Sequence, residues 1–425
     1  MLDIAAPPGD CEAMASRDEC AAEVLIIGGG MIGLTLGVAL AGAGVEVVVL
    51  DKADPAATLA AEYDGRVSAI THGSQQALRT IGLWGHMARH AEPILGIRVT
   101  DGDSPLFLHF DHRAVGDAPF GHIVENRHTR RVLYAVAAKT ERLHLIAPCV
   151  LRGLERSASG VAAELDDGRR IAARLAVAAD GRHSTLRAQA GIPVTTWRYQ
   201  QTGIVCTVAH ERPHLGIAQE RFLPAGPFAI LPMTDDPAGG HRSSLVWTER
   251  ADLAPSIMAL DDAGFNQEMG SRFGDYLGRL EVVGGRWSFP LGLSHATRYA
   301  DRRLVLVGDA AHAIHPISGQ GLNLGLRDVA ALAEILVDAR RLGLDIGAGD
   351  ILDRYERWRR FDTALLLAVT DGLNRLFSND IAPIKLVRDL GLAAVNQVGP
   401  LKKFFMRQAM GVVGDLPRLV RGEPL

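Results

Sequence analysis

Two apolar runs on either side of a glycine-rich turn stand out near the start of the chain. Val24–Ile27 has the length of a buried strand, and Leu34–Ala43 has the length of a helix. A further apolar run, Val45–Leu50, ends on Asp51. The order strand, turn, helix, strand predicts a βαβ unit with parallel strands.

The glycines determine how this apolar region is interpreted. Residues 24–50 carry one charged side chain, so hydropathy alone would suggest a membrane span. The run Gly28-Gly29-Gly30-Met31-Ile32-Gly33 instead fits G-x-G-x-x-G. In that pattern Gly28 permits a tight turn, Gly30 lets a pyrophosphate approach the backbone, and Gly33 lets helix and strand pack closely. With Asp51 placed to hold ribose hydroxyls, the unit predicts dinucleotide binding.

Two later apolar runs also end on an aspartate beside a glycine. Ile171–Ala179 leads into Asp180, with Ser184 as a candidate cap for a following helix, and Val305–Val307 leads into Gly308 and Asp309. The carboxyl ends of parallel strands share one sheet edge, where doubly wound folds bind their ligands. We therefore expect the two carboxylates to lie along that edge.

The stretch after Asp309 predicts a flavin. The Asp309 carboxylate, at a strand end, can accept hydrogen bonds from a polyhydroxyl chain such as the ribityl of FAD. A helix that opens near Gly321 presents free backbone N–H groups and a positive dipole end. A reduced flavin, anionic around its pyrimidine edge, suits that position.

Two arginines are further candidates for cofactor contacts. Arg66 follows a short polar loop and could lie along the pyrophosphate or adenine, and Arg127 precedes an amphipathic helix. A solvated loop or helix start explains each of them equally well.

The middle of the chain predicts antiparallel strands. Apolar and polar positions alternate over residues 94–125 and again from about 196 to 294. The second stretch carries many aromatic side chains, which would line either a substrate pocket or an ordinary sheet core: Trp197, Tyr199, Phe222, Phe228, Trp247 and Trp287, with Gln200 and Cys206.

Composition narrows the class of protein. The 425 residues carry a net charge of −4, which argues against nucleic acid as the main partner. The four cysteines are scattered, so a reducing cytosol is expected and a zinc site or redox dithiol is not. His312 and His315 lack a nearby carboxylate pattern, so we expect them to pack or orient a loop and expect no metal site.

The chain ends are interpreted separately. Residues 1–20 have the character of a flexible tail. Residues 346–425 are predicted to be helical, and 381–425 are basic and apolar, which suits a membrane surface, a partner protein of a biosynthetic complex, or packing on the chain's own domain. The expected location is cytoplasmic, with a peripheral position at the inner membrane as the finer alternative.

Three motifs together resemble a known family. G-x-G-x-x-G, Ala-Asp-Gly-Arg-His-Ser-x-x-Arg and Gly-Asp-Ala-Ala-His are similar to the signatures of single-component aromatic hydroxylases such as para-hydroxybenzoate hydroxylase. The string from Val307 to Asp328 more closely resembles the FAD-dependent hydroxylases of ubiquinone biosynthesis. Asp51 departs slightly from that pattern, since many relatives carry Glu there.

The resemblance implies an α/β fold with a Rossmann-like FAD-binding domain, an inserted antiparallel-sheet substrate domain and C-terminal helices. The expected domains are 21–93, 120–195 and 295–345 for FAD, 94–119 and 196–294 for substrate, and 346–425 for the helical region. We expect a monooxygenase that hydroxylates the ring of a polyprenylated phenol with O₂ and transiently bound NAD(P)H, through a flavin C4a-hydroperoxide. A catalytically idle flavoprotein subunit, an epoxidase and a prenyl reductase are the alternatives.

The resemblance also implies roles for individual residues. Asp309 holds the ribityl chain, and the backbone of Gly319–Asn323, including Gln320, Gly321 and Leu322, faces the flavin ring. Pro316 stands over the oxygen site. No residue is assigned as a general acid or base, because the flavin carries the oxygen chemistry.

Overall fold

The computed structural model describes residues 19–61, 63–102, 104, 107–237, 239–314, 319–377 and 395–425. Most of the expected N-terminal tail and residues 381–394 of the C-terminal segment lie outside the described residues.

The described chain alternates strands and helices in its first part and is mainly helical in its last. The strands are β1 (Glu19–Ile27), β2 (Val47–Leu50), β3 (Val67–Thr71), β4 (Ala91–Ile94), β5 (Gly96–Asp101), β6 (Phe107–Asp111), β7 (Gly121–Glu125), β8 (Leu143–Ile146), β9 (Leu151–Arg156), β10 (Val161–Leu165), β11 (Arg170–Ala178), β12 (Val194–His210), β13 (Ile217–Leu223), β14 (Gly226–Pro232), β15 (His241–Arg250), β16 (Leu280–Ala296), β17 (Ala300–Asp301), β18 (Leu304–Leu306) and β19 (His312–Ala313). The helices are α1 (Met31–Gly42), α2 (Pro55–Ala60), α3 (His72–Thr80), α4 (Trp84–Met87), α5 (Asn126–Ala137), α6 (Thr185–Gln189), α7 (Ala254–Met258), α8 (Asp262–Phe273), α9 (Gly321–Arg341), α10 (Gly349–Phe377), α11 (Gly399–Ala409) and α12 (Arg418–Arg421).

The first sheet is the mainly parallel one that the apolar runs predict. Its order is β17-β18-β11-β1-β2-β8, and β10 and β9 extend it from β11. Strands β8, β2, β1, β11 and β18 are parallel to their neighbours in this series. Residues 24–27, 47–50, 175–178 and 304–306 of these strands are apolar and buried, because helices cover this part of the sheet. Helix α1, buried from Gly33 to Ala41, is one of those helices, which explains why it has no polar face.

The second sheet is antiparallel except where β5 joins β13. Its order is β19-β16-β12-β15-β14-β13-β5-β6, so strands from residues 94–119 and from 196–294 share one sheet. One face packs against α8 in a core that includes Cys206, Phe228, Trp247 and Phe265, all at most 1% exposed. This core attaches α8 to the antiparallel sheet.

A small third sheet, β3-β7-β4, is formed by residues 67–71, 91–94 and 121–125. The side chain of Thr71, at the end of β3, caps α3 by accepting a hydrogen bond from Ser74 N–H. The helices α9 and α10 follow the last parallel strand, and α9 packs on α1 and α10. Within the described ranges, no helix is both long enough and apolar enough to cross a membrane.

Candidate functional site

Three adjacent parallel strands deliver the predicted site residues to one edge of the first sheet. Strand β1 ends before Gly28, β11 ends before Asp180, and β18 ends before Gly308. The backbone stays paired through the turns, because Ala179 N–H donates to Ile27 O (2.8 Å) and Val307 N–H donates to Ala178 O (3.0 Å). The turns are therefore neighbours in space.

The glycines of the first turn serve two different purposes. Gly28 has φ of +110°, and a Cβ there would lie 2.3 Å from Ala179 O. A Cβ on Gly33 would lie 1.8 Å from Gly28 O, so the fold itself requires both glycines. A Cβ on Gly30 would meet nothing within 4 Å. The space in front of Gly30 is open, at the N-terminus of α1, where a phosphate would bind.

Asp51 reaches the same turn from the end of β2. Its Oδ1 accepts a hydrogen bond from Ala53 N–H (2.9 Å). A Cβ built on Gly29 would lie 2.8 Å from Asp51 Oδ2, so this second oxygen lies directly beside the glycine turn. That is the position expected for a carboxylate that binds a ribose.

Asp180 combines a structural contact with an unused oxygen. Its Oδ2 accepts from Thr185 N–H (2.8 Å), at the start of α6, and the predicted cap Ser184 Oγ accepts from Arg187 N–H (3.1 Å). Asp180 Oδ1 is buried without a hydrogen-bond partner among the described residues. The guanidinium of Arg187 also donates to Ala310 O (2.8 Å), which ties this turn to the one that carries Asp309.

Asp309 lies in the turn after β18. Its side chain is accessible to solvent although protein surrounds it on most sides, as in a recess. Burial raises the pKa of the Asp309 carboxyl, and the charges of His312 and Arg182 oppose the rise. A Cβ on Gly308 would lie 3.2 Å from Ile32 Cγ1 in α1. Chain segments near residues 30 and 310 therefore meet.

His312 has a buried carboxylate partner, Asp328, which lies 16 positions further along the chain. Asp328 Oδ2 is 2.6 Å from His312 Nε2 and accepts a hydrogen bond from Gly308 N–H (2.9 Å), while Asp328 Oδ1 accepts from Arg359 Nε (2.8 Å). Burial raises the pKa of the Asp328 carboxyl, but the charges of His312 and Arg359 and their hydrogen bonds bring it below its ordinary value. The sequence signal was an acid about two helical turns into α9, and its partners come from distant positions.

The start of α9 faces the same edge. The first α-helical hydrogen bond runs from Leu324 N–H to Gln320 O (3.0 Å), so the N–H groups of Gly321, Leu322 and Asn323 lie at the free end of the helix. These groups and the positive end of the helix dipole suit an anionic ligand edge.

The side chain of Asn323 has a structural role. Its Nδ2 donates to Ala69 O (2.7 Å) and Gly319 O (3.1 Å), and its Oδ1 accepts from Thr71 N–H (2.9 Å). It thereby fixes strand β3 to the loop before α9, and its backbone N–H remains for a ligand. Pro316, predicted over the oxygen site, lies outside the described residues.

Arg66 and Arg127 each form an ion pair with a nearby acid. Arg66 Nη2 is 2.5 Å from Asp64 Oδ2, and Arg127 Nε is 2.6 Å from Glu125 Oε2. Arg127 also lies over the ring of Tyr63, with Cζ 4.7 Å from its centre. Their contact with a cofactor stays a prediction.

The second face of the antiparallel sheet is turned toward these elements. Trp287 of β16 lies against Gly65, where an added Cβ would be 2.3 Å from the indole, and Tyr63 Oη accepts from Thr207 Oγ1 of β12 (3.4 Å). On this face the side chains in the central rows are only partly buried, in contrast to the α8 face: Val99, Glu220, Ala229, Val246, Val205 and Trp287. These partly exposed side chains form a mainly apolar surface on the side of the sheet that faces Gly65 and Tyr63.

The aromatic residues of the middle region lie in three different places. Phe228 and Trp247 belong to the core on α8, with Cys206 beside them, whereas Trp287 lies on the open face. Phe222 is buried in a smaller cluster together with Ala69.

The donor set at the strand edge suits FAD. Two helix N-termini, an open approach at Gly30, and carboxylates beside the turns could hold a pyrophosphate, a ribose, a ribityl chain and a flavin ring. Asp180 Oδ1, buried without a partner among the described residues, is a further acceptor on this edge.

Solved structures show the same fold. The p-nitrophenol 4-monooxygenase PnpA of Pseudomonas putida superimposes with a TM-score of 0.76 at 20% identity, covering 92% of this chain and 98% of that one. PqsL of Pseudomonas aeruginosa, in complex with 2-aminobenzoylacetate, gives a TM-score of 0.72 at 23% identity and covers 88% of this chain and all of that one (100%). The predicted α/β flavin-monooxygenase fold is confirmed.

Sequence comparison agrees. The family model described as FAD binding domain matches residues 21–366. The ubiquinone hydroxylase UbiL of Rhodospirillum rubrum is 53% identical over 99% of this chain and 97% of its own length. The 3-demethoxyubiquinol 3-hydroxylase of Escherichia coli is 33% identical over 92% of this chain and 98% of its own length. The chain belongs to the FAD-binding family that includes the flavin-dependent hydroxylases of ubiquinone biosynthesis.

Proposed function

We propose that this protein is an FAD-dependent monooxygenase that hydroxylates the aromatic ring of a polyprenylated phenol or benzoquinone precursor in ubiquinone biosynthesis, consuming NAD(P)H and O₂. The observation that carries the proposal is the partly open apolar sheet face turned toward the flavin-binding edge. Such a wall accommodates a ring and a prenyl chain, and relatives named as ubiquinone hydroxylases cover nearly the whole chain.

Different residues of the strand edge bind different parts of the cofactor. Bound FAD supplies the oxygen chemistry. The N-terminus of α1 at Gly30 binds the pyrophosphate, Asp51 binds the ribose, and Asp309 accepts hydrogen bonds from the ribityl hydroxyls. The N-terminus of α9 stabilises negative charge at the pyrimidine edge. A second G-x-G-x-x-G is absent from the sequence, so NAD(P)H binds transiently.

Turnover by the purified holoenzyme tests the function. With 2-geranylphenol and ¹⁸O₂, we expect the phenol to stimulate NAD(P)H oxidation and one labelled oxygen to enter its ring for each NAD(P)H consumed. A flavin that NAD(P)H never reduces in the presence of the phenol would instead support the idle-subunit alternative. The quinone intermediate that accumulates in a deletion strain would name the ring carbon.

The finer localisation rests on α11. Met406 packs inward at 0% exposed, while Phe404 on the outer side is 51% exposed and lies near Lys403 and Arg407. We infer that this side rests on an anionic membrane surface, which the apolar and basic side chains would bind together. Replacing Lys403 and Arg407 by Glu should reduce co-sedimentation with phosphatidylglycerol vesicles about 10-fold or more, since each basic residue contributes about 1 kcal/mol. Unchanged binding would contradict the inference.

A further inference from the structure

A single ionisable side chain interrupts the apolar row on the open sheet face. Strand register aligns Glu220 of β13 with Val99 of β5 on one side and with Ala229 of β14 on the other. The row continues through Val246 of β15 and Val205 of β12. The row ends at Trp287 of β16, so Glu220 is its one ionisable residue.

The carboxylate of Glu220 has no partner in the part of the chain that the structure describes. Neither a hydrogen bond nor an ion pair reaches it, whereas the more deeply buried Glu125 is paired with both Arg127 and Arg242. Burial alone raises the pKa of the Glu220 carboxyl to about 7. Its side chain stays partly accessible although protein surrounds it, as expected for a residue that lines an internal recess.

An unpaired carboxyl in such a place does not stabilise the fold. Removing a carboxylate from water without a compensating partner costs free energy, and groups of this kind are concentrated at binding and catalytic sites. The fold would tolerate an apolar residue here, because the cross-strand neighbours Val99 and Ala229 are apolar. A ligand is therefore the more suitable partner.

The position of Glu220 relative to the flavin edge follows from its strand. Alternation along β13 places Glu220 on the same face as Ala218 and Phe222, and both of these pack in a cluster with Ala69. A Cβ on Gly319, in the loop before α9, would lie 3.0 Å from Ala69 Cβ. Glu220 thus lies on the sheet face whose hydrophobic cluster also includes Ala69, the residue that the loop before α9 approaches at Gly319.

We propose that Glu220 contacts the substrate and accepts a hydrogen bond from its ring hydroxyl. This inference rests on the proposed function and names the group that recognises the phenol. The apolar row holds the ring and the start of the prenyl chain, so the hydroxyl has one acceptor to point to. The hydrogen bond therefore selects which ring carbon faces the flavin, and it increases the electron density of the ring by polarising the O–H bond.

Binding measurements test the inference independently of turnover. Calorimetry of the holoenzyme would compare 2-geranylphenol with its O-methyl ether, which cannot donate. A hydrogen bond to a charged acceptor predicts that the wild type prefers the free phenol roughly 10- to 100-fold. Glu220→Leu should abolish this preference, and Glu220→Gln, which keeps an acceptor oxygen, should retain part of it. Gln219→Leu, on the opposite face of β13, should keep the full preference.

The outcomes separate this inference from the proposed function. FAD content and thermal stability should stay unchanged in Glu220→Leu, or stability should rise, since a desolvated carboxyl is removed. If Glu220→Leu kept the preference for the free phenol, Glu220 would not be the acceptor, and the proposed function would still stand. If the wild type bound neither compound, both would be overturned. If it bound the phenol with the expected preference but did not hydroxylate it, only the proposed function would fail.

Discussion

Asp328 should be the most sensitive buried charge in the described chain. Its carboxylate accepts hydrogen bonds from Gly308 N–H and Arg359 and contacts His312, and the three side chains of Asp328, Arg359 and His312 are 0%, 1% and 2% exposed. In Asp328→Asn the new amide offers one acceptor oxygen where two served before, and its NH₂ group meets donors. Because the Arg359 cation would remain buried with part of its compensation lost, we expect a loss of about 3–5 kcal/mol in the free energy of unfolding.

Urea unfolding of the apoprotein, followed by tryptophan fluorescence, measures this loss. Asp353→Asn, an exposed acid on α10, is the matched control and should change stability by less than about 0.5 kcal/mol. FAD affinity should also fall in Asp328→Asn, because Asp328 holds the backbone immediately before Asp309. If the unfolding free energy of Asp328→Asn changed by no more than about 1 kcal/mol relative to the control, the Asp328 charge would not be needed to compensate the buried Arg359 cation.

The buried Asp328 carboxylate also predicts how the stability of the protein depends on pH. Because the folded-state pKa of Asp328 lies below its unfolded value near 3.8, its stabilising contribution is complete above that value and is lost as the pH falls toward the folded-state pKa. The stability difference between wild type and Asp328→Asn should therefore shrink on acidification below about pH 4. A difference that stayed constant down to acid unfolding would contradict the assignment of the charge.

Two further predictions concern cofactor binding. Asp309→Asn should weaken FAD binding roughly 10- to 100-fold in a fluorescence titration of the apoprotein, since a charged acceptor for the ribityl is lost, and unchanged affinity would remove Asp309 from the site. Gly30→Ala should leave the melting temperature of the apoprotein unchanged and lower its FAD affinity, because the new Cβ enters open space in front of the α1 N-terminus. Gly33→Ala should instead destabilise the apoprotein by about 3 kcal/mol, because its Cβ would lie 1.8 Å from Gly28 O. Equal effects of the two glycine substitutions on stability would contradict this division.

The parts of the fold that local pattern determines were predicted well from the sequence. Strand β2 begins two residues after the predicted Val45 and ends at the predicted Leu50, and α1 ends one residue before the predicted Ala43. The motif turns at Gly28, Asp180 and Asp309 also lie on one edge, because the carboxyl ends of parallel strands can meet nowhere else. In these cases the apolar period and the rules of parallel topology contain the answer.

Long-range partners could not be predicted in this way. A period-2 pattern marks two faces of a strand without saying which one a helix will cover. The position of α8 places Phe228 and Trp247 in a core and leaves Trp287 on the open face. In the same way, the partners of His312 and of the Asn323 side chain come from other elements, at Asp328 and at β3. Such pairings depend on tertiary packing, which a single sequence does not record.

The contacts of helix α9 explain why the sequence from Val307 to Asp328 is characteristic of one family. Asn323 near its start fixes β3, while Asp328, just over one turn later, holds the Gly308 turn. Between them Arg327 pairs with Asp362 of α10 (3.0 Å) and donates to the backbone after α11. One short helical segment thus positions the start of α9, the turn that carries Asp309 and the C-terminal elements at once. Because each of these residues is constrained by a different neighbour, substitutions in this segment should affect stability and FAD binding together.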